Sequence, residues 1–206
     1  KVNDHKEDAG ENPDNGELVN LVENYDYAVS RGSDEADIAN ALTDTLRGEG
    51  NWARLDYNAG YEPENHVVLN FDLTDMNSVS QIVMGMKRTG ENIALPKNLS
   101  IKVSYNNSDW FTLKDFGGET PSDDVIWNGA VDEFGSSIEN ANMAYTRYIR
   151  IEFDLTEGSA TCLDEVQIFG KRGKTSTAGR PMEPHGDHYN VALEKPYTIT
   201  PEASPS

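Results

Sequence analysis

The chain has 206 residues and a formal net charge of −19 at pH 7, with 36% hydrophobic and 9% aromatic residues. That is enough apolar material for one modest core with tails, and no stretch approaches the ~20 apolar residues of a membrane span. The negative field disfavours nucleic acid and anionic membranes, which need Lys and Arg to displace counterions, while the lone Cys162 excludes an intrachain disulfide and a cysteine-based zinc site.

Residues 1–18 are polar, rich in Asp, Asn and Glu, and lack both periodicity and the apolar centre of a signal peptide, so they read as a linker. "SDEADIANALTD" (33–44) predicts a short helix, with Ser33 as cap and Ala36, Ile38, Ala39 and Leu42 facing inward. Short strands follow. "HVVLNFDL" (66–73) alternates Val67, Leu69, Phe71 and Leu73 on one face, and "SQIVMGM" (80–86) is an apolar run between polar turns. "LSIKVSY" (99–105), "WFTL" (110–113), "RYIRIEFDL" (147–155) and "LDEVQIFG" (163–170) complete the set. Period-two patterning between Gly, Asn, Asp and Pro clusters indicates antiparallel strands with one buried face. With so little helix, the expected fold is all-β: a jelly-roll β-sandwich of about eight antiparallel strands. Cys162 falls in the strand-like "ATCLDEVQIFG" and reads as a small core residue.

Residues 172–189 have linker composition. "HGDH" (185–188) lies inside that linker, with no strand or helix to hold metal ligands, and His66 reads as a strand-end residue. Residues 190–206 begin "NVALEKPYTITPEAS", which aligns without a gap on "NLVENYDYAVSRGSD" from Asn20: Asn190 meets Asn20 and Tyr197 meets Tyr27. The expectation is one module at 19–171 followed by the start of a similar one, in a tandem array. The sequence holds no G-x-S-x-G, H-E-x-x-H, phosphate loop or Cys/His arrangement, so a non-catalytic role is expected.

Several of these segments, in this order, resemble the F5/8 type C, or discoidin, domain, whose microbial members include the family 32 carbohydrate-binding modules. The segments are "ALTD" (41–44), Trp52, "VVLNFDL" (67–73), "IVMGMKR" (82–88), "LPKNLSIKVSYNNSDW" (95–110), "RYIRIEF" (147–153) and "LDEVQIFG" (163–170). The resemblance implies a structural calcium ion, with Asp44 and Glu165 on the positions of its two carboxylate ligands. The bland alternative makes Asp44 a turn acceptor and Glu165 a solvated strand residue. The family's Gly after the Asp is Thr45 here, and the Thr before the Trp is Gly50.

The resemblance also implies a glycan site on the rim loops. Arg88 falls on the position of a sugar-binding Arg, or serves only as a surface ion pair, and Ala53 replaces the His of galactose-binding members. Arg54, Asp56, Tyr57 and Tyr61 are further candidate ligand contacts, Trp127 is either a stacking platform or a core residue, and Trp52 and Trp110 are expected in the core. The expected function is a non-catalytic carbohydrate-binding module of a larger secreted protein, with a glycan and the adjacent modules as partners. The alternative is a protein-binding or structural spacer module of a surface adhesin.

Overall fold

The computed structural model describes residues 18–23, 27–29, 41–47, 52–129 and 143–173. The expected linkers, the start of a second module, the "HGDH" stretch, Gly50 and most of the expected helix lie outside these residues. The described end of that helix segment, 41–44, is a turn rather than helix, although Leu42 is fully buried as expected.

Nine antiparallel strands are described: β1 (Val19–Asn20), β2 (Tyr27–Val29), β3 (Ala53–Asp56), β4 (His66–Met86), β5 (Lys97–Ser104), β6 (Phe111–Asp115), β7 (Val125–Asn128), β8 (Ala144–Asp154) and β9 (Ala160–Arg172). One short 3-10 turn, Glu62–Asn65, precedes β4. The two strands read from sequence at 66–73 and 80–86 are one strand of 21 residues. Its first half pairs with β8, from His66↔Asp154 to Asp72↔Tyr148, and its second half pairs with β9, from Asn77↔Arg172 to Met86↔Leu163, while Ser78 and Val79 still pair with Tyr145 and Ala144 of β8.

The change of partner is made at a bend. Thr74 sits at φ 70° and donates its N–H to Asp72 Oδ1 at 2.9 Å. Asn77, buried, donates its side-chain amide to Asp75 O at 2.8 Å. Beyond the bend Ser78 and Ser80 are buried, and their hydroxyls bond to the carbonyls of Gly173 and Phe169 at 2.7 and 3.1 Å. The polar run 74–78 looks like a loop in sequence, yet local hydrogen bonds let it stay in the ladder.

One sheet path therefore runs β2–β4–β8–β5–β6, and the second half of β4 carries β9 on one side and β7 on the other, with β1 and β3 on the far edge of β9. Both paths contribute to a single core. Phe71, Leu69, Ile149, Ile151, Phe153 and Ile101 come from the first, and Ile82, Met84, Val166, Ile168 and Leu55 from the second. Burying each such side chain stabilises the fold by roughly 1.5–3 kcal/mol. Tyr27 stacks on Phe71 with ring centroids 5.4 Å apart, which fixes the short β2 on the edge. Cys162 is buried on β9, in agreement with the core reading. Strands β1, β2, β3 and β7 span two to four residues each, too few for a period-two pattern to register.

The two tryptophans expected in the core are instead half-buried beneath cations. Arg150 Cζ stands 3.8 Å from the Trp110 ring centroid, and Lys87 Nζ stands 5.9 Å from that of Trp52. The Arg150 guanidinium is held between the Trp110 face and Glu152, whose Oε1 lies 3.7 Å from its Nη1, and its Nε is buried with no hydrogen-bond partner among the described residues.

β1 meets β9 with Val19 opposite Gly170, so the two ends of the module lie side by side. The approach is close at Gly170, where a Cβ would stand 2.5 Å from Ser78 O and 2.8 Å from Leu21 Cδ1. Gly170→Ala is therefore expected to cost about 1–3 kcal/mol in denaturant-unfolding free energy, whereas alanine at the open Gly118 is expected to change it by less than about 0.5 kcal/mol.

Candidate functional site

The turn at 41–47 folds against β9. Val166 N–H donates to Leu42 O at 2.7 Å, and Thr45 N–H donates to Glu165 Oε2 at 3.2 Å. The N–H of Leu46 in turn bonds to Asp44 Oδ1 at 2.9 Å. Thr45 has φ 69°, the left-handed region that a β-branched residue enters at a cost and that the Gly of the family pattern enters freely.

Glu165 is fully buried, and its Oε1 has no hydrogen-bond partner among the described residues. Burial, reinforced by the negative charges of Asp44 and Asp164, pushes its carboxyl up to about 7, against the Thr45 hydrogen bond and the Arg47 charge. Burial, with Asp44 and Glu165 adding to it, pushes the Tyr27 hydroxyl up to about 12, despite a hydrogen bond from the Leu42 backbone. The tertiary structure thus brings Asp44 and Glu165 together, and the solvated-strand alternative for Glu165 is set aside by its burial. No group of three or more His, Cys, Asp and Glu side chains suited to a metal occurs among the described residues. A cation here would need backbone oxygens as well as these two carboxylates. An orphaned buried carboxylate oxygen beside a second carboxylate fits a hard divalent cation.

Arg88, just beyond the end of β4, is tied to the loop before β7. Its Nη1 donates to Pro121 O at 2.9 Å and its Nη2 to Asp124 Oδ1 at 3.1 Å, while Arg47 Nη2 takes the other oxygen, Asp124 Oδ2, at 2.7 Å. The main chain of Asp124 is itself fixed, its carbonyl accepting from Met84 N–H at 2.8 Å. This is the ion-pair alternative of the sequence reading: the guanidinium fork anchors a loop. Arg54 and Asp56, on the exposed side of β3, pair with each other at 2.8 Å.

Trp127 requires a correction as a ligand candidate. It pairs with Ile82 across the β4–β7 ladder and is only 7% exposed, within the core. A ring so placed has no face left for a sugar. The sequence left platform and core open because "VIWN" is too short to show which face is inward.

The remaining candidates lie on the rim formed by the segments 57–66, 92–98 and 154–160. Asn65, buried, braces the first of these, with Asn65 Oδ1 accepting from Asn58 N–H at 2.7 Å and Asn65 Nδ2 donating to Asn58 O at 2.8 Å. Tyr61 stands 56% exposed on this loop. Tyr57 is half-buried against the core, and its hydroxyl donates to Glu62 Oε1 at 2.7 Å. That bond to Glu62 is the main reason the Tyr57 hydroxyl is pushed up to about 12.

A cavity of about 320 Å3 opens here, lined by Tyr57, Glu62, Asn65, His66, Lys97, Asp154, Leu155 and Glu157. Within it His66 Nδ1 lies 2.8 Å from Asp154 Oδ1, and Asn98 Nδ2 donates to Asp154 Oδ2 at 2.8 Å. Burial opposes ionisation of Asp154, but the bonds from Asn98 and His66 hold its carboxyl below the usual range. Lys97, Glu62, Asp154 and Glu157 were not singled out in the sequence; they come from three separate segments, and no local pattern joins them.

No protein-family model matches the sequence, and no curated protein matches it. Among solved structures, the chain is similar to CpGH89CBM32-6 of Clostridium perfringens, with a TM-score of 0.51 and 19% identity over 74% of this chain and 99% of that one. It is similar to a variant of chitosan-binding module 1 from a Paenibacillus sp. IK-5 chitosanase/glucanase, with a TM-score of 0.51 and 14% identity over 75% of this chain and 100% of that one. The chain has the discoidin-like β-sandwich fold of these binding modules.

The buried Glu165 makes a prediction about pH. With a divalent-cation chelator present, a carboxyl raised in the folded state costs nothing below the unfolded value of 4.5 and progressively destabilises the fold as pH rises toward about 7. Unfolding free energy should fall over that window by up to roughly 3 kcal/mol and then level off. Glu165→Gln should remove the slope, as read by urea denaturation at about pH 5 and about pH 8.

Proposed function

We propose that the chain is a non-catalytic carbohydrate-binding module of a larger secreted protein, stabilised by a calcium ion and binding a glycan through its rim loops. The observation that carries the glycan reading is the rim itself. On a discoidin-like sandwich, the braced 57–65 loop presents Tyr57 and the exposed Tyr61, close in sequence to the Arg54–Asp56 pair at the end of β3. Sugar C–H faces stack on aromatic rings, while hydroxyls need both donors and acceptors. The two neighbours are named as binding modules, one of them for chitosan, and no helix among the described residues is long and apolar enough to cross a membrane. Binding of this kind would hold an attached protein near a polysaccharide, and repeated modules would raise avidity. The side-by-side ends of β1 and β9 suit a module strung in such an array.

The calcium reading rests on Glu165 and Asp44 with carbonyl oxygens of the 41–47 turn. Calcium takes ~6–8 oxygens, mixed from carboxylate and carbonyl. Bound, it would supply the positive charge that the buried carboxylate lacks and would fasten the turn to β9.

Two outcomes are expected. Saturating calcium should raise the melting temperature by roughly 5 °C or more, and Glu165→Gln should abolish the rise; an unchanged wild-type melting temperature defeats the ion reading. On a glycan array in calcium buffer, one sugar class should bind with about 0.1–1 mM affinity, weakened by Tyr61→Ala. Silence across the array would instead favour a structural spacer.

A further inference from the structure

We propose that sugar recognition by this chain is centred on the cavity between Tyr57, Lys97, Leu155 and Glu157, away from Arg88, and that its ligand is a pyranose without an acidic group. The inference rests on the glycan reading above and names the site and the class of sugar.

The first observation is where polar capacity has already been used. The Arg88 guanidinium holds Pro121 O and Asp124 Oδ1, and Asp124 also holds Arg47. Turning Arg88 toward a ligand would break the bonds that fasten the 121–124 loop. In the cavity the situation differs. Two of its acids are engaged within the protein: Glu62 accepts from Tyr57, and Asp154 accepts from Asn98 and contacts His66. Lys97 and Glu157 line the same space, and neither side chain has an ion-pair partner among the described residues.

The open charges are thus one cation and one anion facing a space of about 320 Å3, at the lower end of the ~300–1,000 Å3 of ligand pockets. A vicinal diol matches that pair, because each hydroxyl both donates and accepts: one bonds to the Glu157 carboxylate, the other accepts from the Lys97 ammonium. The Tyr57 ring and Leu155 supply an apolar wall for the C–H face. An acidic sugar would bring its carboxylate up to Glu62, Asp154 and Glu157 with only Lys97 to offset them. The ammonium of an amino sugar would meet those same carboxylates, so the charge balance of the cavity turns away acidic sugars alone.

The cavity is also preorganised. Its walls are fixed by the Asn58–Asn65 bonds, by Leu155 N–H on Asn65 O at 2.8 Å and by Tyr57 N–H on Ser159 O at 3.1 Å, so little ordering remains to be done on binding.

The test is a 15N NMR titration of the full chain in calcium buffer with methyl glycosides of glucose, galactose, mannose and N-acetylglucosamine, and with glucosamine and glucuronate. At least one of the neutral glycosides or glucosamine should shift the amides of Asn58, Asn65 and Gly158. Lys97→Ala and Glu157→Gln should each weaken its binding about tenfold or more, while Arg88→Ala, with unchanged β-sheet resonances, should alter it less than about twofold. Tighter binding of glucuronate than of the other sugars would overturn the exclusion of acidic ligands. Shifts confined to residues 88–92 and abolished by Arg88→Ala would overturn the location while leaving the glycan reading intact. If no sugar on the array or in the titration perturbs any amide, the location and the glycan reading fail together.

Discussion

The architecture depends on one continuous ladder through β4. A strand of 21 residues that pairs with β8 up to its bend and again at Ser78 and Val79, and with β9 beyond the bend, welds the two halves of the sandwich by backbone hydrogen bonds rather than by side-chain contact alone. It also determines where the rim lies. Because the chain turns over at Thr74–Asn77, His66 at its start and Met86 at its end reach the same end of the molecule. The 57–65 and 87–97 segments, and with them the cavity and the Arg88 anchor, are brought to one rim by that single bend.

A second constraint is electrostatic. Among the described residues only Asp164 and Glu165 are buried acids, and Glu165 is enclosed beside Asp44 with one carboxylate oxygen lacking a hydrogen-bond partner there. On the proposed calcium reading, a cation that neutralised the pair would make an unfavourable arrangement favourable and would tie stability to ion binding. Arg47 gives partial compensation from a distance, and its tie to Asp124 keeps it directed at the 121–124 loop. The same carboxylate holds Arg88, so Asp124 joins the 41–47 turn to the end of β4.

The rim therefore divides into two parts of different character. Around Asp124 the cations are consumed in fastening loops. Around Tyr57 an aromatic ring, an aliphatic wall and two opposite charges without an ion-pair partner among the described residues surround an open space. Lys97 and Glu157 are exposed, so on the proposed reading their contribution to sugar binding would come from hydrogen bonds gained with the ligand rather than from relief of a buried unmet group.

The sequence by itself determined the long strands. Val67, Leu69, Phe71 and Leu73, then Ile149, Ile151 and Phe153, alternate over enough residues for period two to be unmistakable, and their order along the chain carried the fold family. It also pointed to Asp44 and Glu165, because both sit in recognisable motif fragments. Tertiary structure alone decided the rest. A polar run could be a loop or a bend in a strand until Asn77 and Ser78 found buried partners. Trp127 could face either way until its strand paired with Ile82, and Arg88 could serve a ligand or a loop until Asp124 was placed beside it. The cavity drew Tyr57, Lys97, Asp154 and Glu157 from distant segments. Periodicity records which face of an element is buried; which side chains from separate loops come to share one space is fixed only when the strands between them have paired.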